Sequence, residues 1–215
     1  MKKKIGVLIS GGGSNLQALI DACAQAEFPA EIVTVISNKE SALGLNRASN
    51  AGIPAHIINH KDYKTREAFD EAVHELLLHH NVEMVCLAGF MRLLTPGCVS
   101  KWKDKMINIH PSLLPAFPGV HVHEQVLAAG VRFSGCTVHF VCSEVDSGPI
   151  IIQAAVPVAP ADTVETLAAR VLEQEHRIYP LALRWLAEGR LAIKDKTVIV
   201  KNSKSVSGAL VNPIH

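Results

Sequence analysis

The sequence lacks the features that would assign it to several broad classes of protein. No hydrophobic run approaches the roughly 20 apolar residues that a membrane-spanning helix needs. Neither sign of charge is in excess, since 21 lysines and arginines stand against 20 acidic residues, which argues against a protein that wraps nucleic acid. The five cysteines are odd in number and form no C-x-x-C pair, which indicates reduced thiols. We therefore expect a cytoplasmic protein with no membrane or nucleic-acid partner.

Common cofactor and metal motifs are also missing. The stretch "SGGGSN" (residues 10–15) is not a dinucleotide fingerprint, because Leu16 stands where G-x-G-x-x-G requires its third glycine, and it is not a triphosphate-binding loop. The eleven histidines include no H-E-x-x-H pattern. The spacing of His121 and His123 suits paired metal ligands, which His110 or Asp146 could complete. A metal site is thus an alternative, although we predict that the protein uses none.

What the sequence does contain is an alternation of apolar runs with segments of helical spacing. Continuous apolar runs are typical of strands buried on both faces. In the first half, such runs fall at 5–9, 32–37, 53–58 and 84–90. Segments of helical spacing fall at 14–23, 42–52 and 64–80. Strict alternation predicts an α/β fold, a Rossmann-like, mostly parallel twisted sheet with helices on both faces.

The second half has a different texture. Strands are predicted at 106–109, 136–141 and 149–158, and a hairpin at 191–200. A long proline-rich loop should run from residue 110 to residue 123. A late helix, capped by Asp162 or Thr163, should run toward Gly189, and Pro180 should kink or break it.

The length of 215 residues fits one domain. We assign residues 1–201 to it, with 1–100 as a phosphate-binding half and 101–201 as a catalytic half. Residues 202–215 have little apolar content, and we expect a loosely held tail.

The glycine-rich stretch is the first candidate for chemistry. Glycines let a backbone approach a ligand closely, and the N-terminus of the helix that follows offers free N–H groups to an anion. Gly13, Ser14 and Asn15 therefore predict a site for a simple phosphate. The alternative is a turn that merely connects a strand to a helix.

The second candidate is "NIHPSLLP" (108–115), at the carboxyl end of a predicted strand, where open parallel sheets bind their ligands. Asn108 and His110 can stabilise an oxyanion, and the imidazole can also move a proton near neutral pH. Asp146, in "SEVDSGPIII", would stabilise the protonated ring if it faced it. The alternatives are residues that satisfy backbone groups in a tight loop and an ordinary turn.

Seven segments, taken in order, resemble the phosphoribosylglycinamide formyltransferases, folate-dependent enzymes of purine synthesis. The segments are "VLISGGGSNLQAL", "SNK", "VCLAGFMRLL", "NIHPSLLPAFPGVHVH", "TVHFV", "DSGPII" and "QEHRIYP". The likeness runs from about residue 5 to about residue 191. One departure is Gly12, where relatives often carry Asn, so this position brings backbone but no side chain.

The resemblance implies two substrate sites. The phosphate of glycinamide ribonucleotide would lie on the glycine-rich loop, and the late helix would help to hold this substrate. The residues are Gly13, Ser14 and Asn15 of the loop and Leu172, Glu173, Gln174 and Glu175 of the helix. The formyl donor is 10-formyltetrahydrofolate, a co-substrate. Its residues would be Arg66, Met91, Arg92, Leu93, Leu94, Asn108, Cys142, Ser143, Glu144, Val145 and Asp146.

The resemblance also implies a mechanism for the trio of Asn108, His110 and Asp146. Asn108 and His110 would stabilise the oxyanion formed as the amine attacks the formyl carbon, and His110 would move a proton with support from Asp146. The alternatives are a formyltetrahydrofolate hydrolase, a formyltransferase with another acceptor, or a phosphate- or nucleotide-binding module without activity. We expect a monomer or a homodimer.

Overall fold

Seven strands form the central sheet in the computed structural model, which describes residues 1–204 and 207–213. The strands are β1 (Lys3–Ile9), β2 (Ala30–Ser37), β3 (Ala55–Ile57), β4 (Met84–Leu87), β5 (Met106–His110), β6 (Phe133–Phe140) and β7 (Ile150–Pro157). Their spatial order is β3-β2-β1-β4-β5-β6-β7. The first five strands are parallel to one another, whereas β6 runs antiparallel to both β5 and β7. The predicted mostly parallel sheet is confirmed.

Helices cover both faces of this sheet, also as predicted. They are α1 (Ser14–Cys23), α2 (Gly44–Asn50), α3 (Arg66–His79), α4 (Pro96–Lys101), α5 (Val122–Ala129) and α6 (Val164–Ala187), with a 3₁₀ turn at His60–Asp62. Buried side chains of α1, α2, α5 and α6 form one apolar cluster, and those of α3 and α4 form a second. Strand β1 separates the two clusters, because Val7 and Ile9 join the first and Leu8 joins the second. Within the described ranges, no helix has the length and apolar character that a membrane crossing requires.

Two short helices were not predicted. Helix α4 follows Thr95, whose side chain accepts a hydrogen bond from the backbone N–H of Cys98, and Pro96 occupies its first turn. This Thr-Pro pair is a helix-start signal, but the apolar run after it is too short to show a helical period. Helix α5 begins at Val122, so the predicted loop over 110–123 is wrong at its end. At its start, His110 still belongs to strand β5.

Pro180 does not break the late helix, so that alternative of the prediction is wrong. Helix α6 is continuous from Val164 to Ala187, and Thr163 caps it in a reciprocal pair with Thr166. Proline removes one backbone donor from a helix, at a cost of about 3 kcal/mol in an isolated helix. Eight buried residues of α6 pack against the sheet and α1, and this burial offsets the local loss.

The chain beyond α6 forms the predicted hairpin, β8 (Leu191–Lys194) and β9 (Thr197–Val200). Further on, the Asn212 side chain donates hydrogen bonds to the backbone oxygens of Arg132, at 2.7 Å, and Val158. The expected loose tail lies in part outside the described residues, which omit 205, 206, 214 and 215, and it stays a prediction.

All five cysteines are free thiols in the structure. Burial raises the pKa of Cys23, Cys98 and Cys136 to about 12 each, and it raises the pKa of Cys86 further. At neutral pH these four thiols are therefore protonated; Cys86, Cys98 and Cys136 belong to the apolar core, and Cys23 packs against it.

Candidate active site

The candidate site lies at the carboxyl edge of the sheet, at the point where the strand order reverses. From β1 the chain moves outward to β2 and β3, and it then returns to the other side of β1 as β4 and β5. Open α/β sheets bind ligands in the crevice outside such a switch point. The loops that leave β1 and β4, and the end of β5, carry the glycine-rich stretch, "FMRLL" and "NIHPS". The fold thus brings together three of the motifs that the sequence analysis singled out.

The glycine-rich loop is shaped by a close approach between two backbones. Gly13 has a φ of 70°, and a Cβ atom there would lie 2.6 Å from the Cα atom of Gly44. Only glycine is free of strain in this place. The carbonyl oxygen of Gly11 accepts from the Gly44 N–H at 3.0 Å, and that of Gly12 accepts from Arg47 Nε at 2.9 Å. Carbonyl oxygens of the loop are thereby committed to protein donors.

Helix α1 starts directly after this loop. Its first N–H groups have no carbonyl partner inside the helix, and the helix dipole favours negative charge beside them. Gly13 is the N-cap residue, and its carbonyl accepts from the Gln17 N–H at 2.9 Å, while Ser14 and Asn15 form the first turn. The three predicted phosphate-binding residues thus form a helix N-terminus of the kind that holds an anion.

A contact between two distant segments joins α1 to α6. Asn15 Nδ2 donates to Glu175 Oε2 at 2.6 Å, although the two residues are 160 positions apart. Glu175 is 7% exposed, and burial raises the pKa of its carboxyl group, while the Asn15 donor works in the opposite direction. One turn further along α6, the hydroxyl of the fully buried Tyr179 lies 2.9 Å from the Leu87 oxygen and 3.2 Å from the Ile107 oxygen. Tyr179 therefore fixes α6 against the ends of β4 and β5.

The other predicted residues of α6 differ in their exposure. Glu173 is exposed, whereas Leu172 and Gln174 are half-buried, and Gln174 Oε1 accepts from Arg177 at 3.0 Å. Of the four predicted residues on this helix, Glu175 is the one that contacts the glycine-rich loop.

Asn108 has a neighbour that the sequence analysis did not assign to the site. Strands β5 and β6 pair in a register that sets Asn108 opposite His139, and Asn108 Nδ2 lies 3.2 Å from His139 Nε2. His139 Nδ1 lies 2.9 Å from the carbonyl oxygen of Phe140, which can only accept, so Nδ1 carries the hydrogen. Nε2 is then the acceptor for the amide of Asn108. Burial lowers the pKa of His139, which keeps this ring neutral.

This contact orients the amide of Asn108. One N–H of its Nδ2 group donates to His139, and a second N–H is left for another acceptor. The contact with His139 thus fixes the orientation of the Asn108 amide, which its position on the strand alone does not determine.

His110 and Asp146 also meet, as predicted. His110 Nδ1 lies 3.3 Å from Asp146 Oδ2, and the two side chains are 5% and 11% exposed. Asp146 Oδ2 also accepts from the backbone N–H of Gly119 at 2.9 Å, and Asp146 Oδ1 lies 3.8 Å from His139 Nε2. The other nitrogen of His110, Nε2, lies 2.9 Å from the oxygen of Phe117. Both ring nitrogens of His110 therefore face hydrogen-bond acceptors.

The turn that carries Asp146 is held by a second close approach. A Cβ atom on Gly148 would lie 1.7 Å from the Phe140 oxygen, so the "DSG" stretch requires glycine at this position. Asp146 itself has a φ of 51°, in the left-handed region that aspartate tolerates better than most residues.

The residues predicted to bind the formyl donor line two adjoining cavities, of about 200 and 800 Å³. The smaller one is lined by ten of them: Arg66, Arg92, Leu93, Leu94, Asn108, Cys142, Ser143, Glu144, Val145 and Asp146. Met91 lines the larger cavity, together with His110, His123 and Gly119. The two cavities share Asn108 and Asp146 and together form one cleft.

One wall of this cleft is a loop after β4 that is tied down at three points. The backbone N–H of Met91 donates to Ser10 Oγ at 2.7 Å, and Arg66 donates to the Leu93 oxygen at 2.8 Å. The Thr95 N–H donates to Asp70 at 2.6 Å. Met91 and Leu93 are 64% and 58% exposed, so this fixed loop presents apolar side chains toward a ligand.

Sequence reasoning missed several residues that build the site. His139 was visible in "TVHFV", but only the antiparallel register of β6 shows that it faces Asn108. The sequence also gives no pattern for three further contacts. They are the Phe117 oxygen with His110, the Gly119 N–H with Asp146, and Arg47 with the Gly12 oxygen. Tyr179 was also missed, although it lies four residues after the predicted Glu175 on a buried helix face, a spacing that could have indicated a shared role.

The structure does not support the alternative metal site at His121 and His123. Among the residues that the structure describes, no three histidine, cysteine or acidic side chains are placed to hold a metal ion together. His121 Nδ1 pairs with Glu124 at 3.3 Å on the surface, and burial lowers the pKa of the half-buried His123.

Comparison with known proteins defines the class first. The family model described as formyl transferase matches residues 3–183 of the chain. The chain is 48% identical, over 192 residues, to a protein of Escherichia coli strain K12 called phosphoribosylglycinamide formyltransferase. This match covers 89% of the chain and 90% of the relative. The chain therefore belongs to the phosphoribosylglycinamide formyltransferase family.

A solved structure and a longer relative agree with this placement. The structure of glycinamide ribonucleotide transformylase 1 from Symbiobacterium toebii matches with a TM-score of 0.91 and 50% identity, over 93% of this chain and 94% of that one. The trifunctional purine biosynthetic protein adenosine-3 of Bos taurus is 56% identical over 192 residues, which are 89% of this chain. The chain spans 19% of the length of that relative.

Proposed function

We propose that this protein transfers the formyl group of 10-formyltetrahydrofolate to the amine of glycinamide ribonucleotide, in the synthesis of purines. The observation that carries the proposal is the cluster of buried His110 with half-buried Asn108 and Asp146, in a cleft at the same sheet edge as a phosphate-type helix N-terminus. Both substrates are small molecules, and we propose a cytoplasmic location and a reaction that uses no metal.

The acceptor substrate carries a phosphate and an amine, and one region of the crevice suits both groups. The first turn of α1, with Gly13, Ser14 and Asn15, offers N–H donors to the phosphate. Glu175 lies beside Asn15 and offers a carboxylate oxygen to hydroxyl or amine hydrogens of the rest of the substrate. Leu172, Glu173 and Gln174 stay proposed contacts of the same helix.

The donor substrate is a large, flat folate, and the cleft along the loop after β4 suits it. Its walls combine the exposed apolar side chains of Met91 and Leu93 with the polar stretch 142–146. This composition, mostly apolar with a few polar groups, is typical of small-molecule sites. The folate would reach Asn108 and Asp146, which the two cavities share.

The reaction forms a bond between the amine nitrogen and the formyl carbon and breaks the bond from that carbon to the folate nitrogen. Negative charge grows on the formyl oxygen as the amine attacks. The free N–H of Asn108 would stabilise it, because His139 fixes the amide with its donor end available. In total, one proton moves from the attacking amine to the departing folate nitrogen.

His110 would carry that proton, and Asp146 would keep the ring charged and oriented. In the structure, His110 Nε2 donates to the Phe117 oxygen. The ring therefore has to exchange this contact for a substrate atom before it can act as an acid. Phe117 has a φ of 53°, which is uncommon for a residue other than glycine. The backbone at Phe117 is therefore strained before the His110 contact is exchanged.

The test follows the absorbance change as 10-formyltetrahydrofolate loses its formyl group, with and without glycinamide ribonucleotide. Loss of the formyl group that requires the ribonucleotide would support the transferase. Loss without it would make water the acceptor and favour the hydrolase. No reaction in either mixture would favour a binding module. The same assay on protein treated with EDTA tests the metal alternative, and we expect unchanged activity.

A further inference from the structure

Two histidines meet at the far edge of the sheet, away from the cleft. His56 belongs to the edge strand β3, and His80 is the C-cap residue of α3. Their Nε2 atoms are 3.0 Å apart, and the two ring centroids are 4.9 Å apart. Both side chains are half-buried, so water still reaches them. Nothing in the proposed reaction uses this pair.

We propose that His56 and His80 bind a divalent transition-metal ion, Zn²⁺ or a close chemical relative, with water completing the coordination shell. Zinc lies about 2.0–2.1 Å from a histidine nitrogen, so two such nitrogens at coordination angles of about 90–109° are roughly 2.9–3.4 Å apart. The observed 3.0 Å lies within that range, and the ion would replace the proton of the hydrogen bond that the two Nε2 atoms now form. Imidazole nitrogen is a preferred ligand of zinc, copper and nickel.

The position of the pair at a helix end favours such an ion. A cation held by His56 and His80 would lie beside the carboxyl end of α3, where the helix dipole favours positive charge.

The site is separate from the chemistry in the cleft. In the sheet, β2, β1 and β4 lie between β3 and the catalytic strand β5. An ion held by His56 and His80 would tie the short edge strand β3, three residues long, to the end of α3. The expected consequence is greater stability of the folded protein, because the paired ligands exist only in that state.

The experiment is a calorimetric titration of the full chain with Zn²⁺, beside thermal unfolding with and without the ion. We expect the His56→Ala and His80→Ala variants each to lose as much affinity as the double variant, since one imidazole does not chelate. We also expect Zn²⁺ to raise the Tm of the unmodified protein and to leave the Tm of the double variant unchanged. His56→Gln and His80→Gln serve where an alanine variant fails to fold.

The matched control is His79→Ala, which removes an exposed imidazole at the same helix end. This variant should keep both the binding and the rise in Tm. Equal zinc binding and an equal rise in Tm in the unmodified protein and the double variant would place the ion elsewhere and overturn the proposal. Absence of binding in the unmodified protein would overturn it as well, and so would loss of binding in His79→Ala alone.

Discussion

The glycine-rich loop and the proposed catalytic cluster of Asn108, His110 and Asp146 lie in the same crevice but are built from different parts of the chain. The loop is formed mainly by backbone groups. Gly13 approaches Gly44 closely, and N–H groups at the start of α1 are available to an anion. In the cluster, buried side chains hold one another, with His139 orienting Asn108 and Asp146 facing His110.

The two regions should therefore respond differently to substitution. A backbone site depends on conformation, so its sensitive positions are those where a side chain would clash or strain the chain. A side-chain cluster depends on each member having its partner, because a buried polar group left unpaired costs about 1–3 kcal/mol. Substitutions can therefore test each region separately.

The largest effect is expected in the cluster. His110→Ala should lower kcat by about 10²–10⁴-fold, since positioned acid–base groups typically contribute that much. The fold should survive, because among the described residues the ring nitrogens contact just Asp146 and the Phe117 oxygen. Formyl transfer rates and circular dichroism measure the two outcomes. Turnover near that of the unmodified protein would rule out the mechanism as written.

The next effect tests the backbone region with a matched pair of glycines. Gly13→Ala should destabilise the protein by about 1–3 kcal/mol, because a left-handed residue gains a Cβ that meets the Gly44 backbone. It should also raise the KM for glycinamide ribonucleotide. Gly12→Ala is the control, since no atom lies within 4 Å of the added Cβ, and its stability should stay the same. Denaturant unfolding and steady-state kinetics distinguish the two variants, and equal stability would contradict the role of Gly13.

A third substitution probes how the cluster positions Asn108. His139→Leu removes the acceptor of the Asn108 amide, which can then turn its oxygen toward the cleft. We expect kcat to fall by about tenfold, from a loss of roughly 1–2 kcal/mol, with little change in either KM. If KM rises while kcat is kept, His139 serves substrate binding rather than the orientation of Asn108.

A smaller effect concerns the helix that joins the two regions. Tyr179→Phe removes the hydroxyl that lies near the Leu87 and Ile107 oxygens. The free energy of unfolding should fall by about 1–2 kcal/mol, since buried carbonyl groups lose a donor. Thermal unfolding checks the stability, and the KM for glycinamide ribonucleotide shows whether Glu175 has moved. An unchanged stability would mean that the apolar packing of α6 alone fixes this helix.

The smallest effect is a change in pH dependence. Burial lowers the pKa of His139 from its ordinary value of 6.5. Between this unfolded value and the lower folded one, the unfolded chain binds more protons, so stability is lost as the pH falls through that window. In His139→Gln the slope of unfolding free energy against pH below 6.5 should be shallower. Some slope should remain, because His80, His123 and His176 also have lowered pKa values. An identical slope would contradict the burial of a neutral His139.

Much of the fold was predictable because local patterns and tertiary structure agree there. The apolar run of β1 is buried on both faces, and the helical spacing after Ser14 became α1, as predicted. Helix α5 was missed because its eight residues follow a proline-rich loop and span barely two turns. Pro180 does not break α6, because the tertiary packing of this helix outweighs a local penalty.

For the candidate site, the sequence alone predicted the groups that the proposed reaction uses: the glycines before α1, the pair Asn108 and His110, and the carboxylate Asp146. The residue type alone limits the chemistry of each group, whatever fold the chain adopts. Only the tertiary structure decided that Asp146 faces His110, that His139 supports Asn108, and that Glu175 reaches Asn15 across 160 positions. The physical reason is that such contacts depend on strand register and on the packing of α6, which no short stretch of sequence encodes.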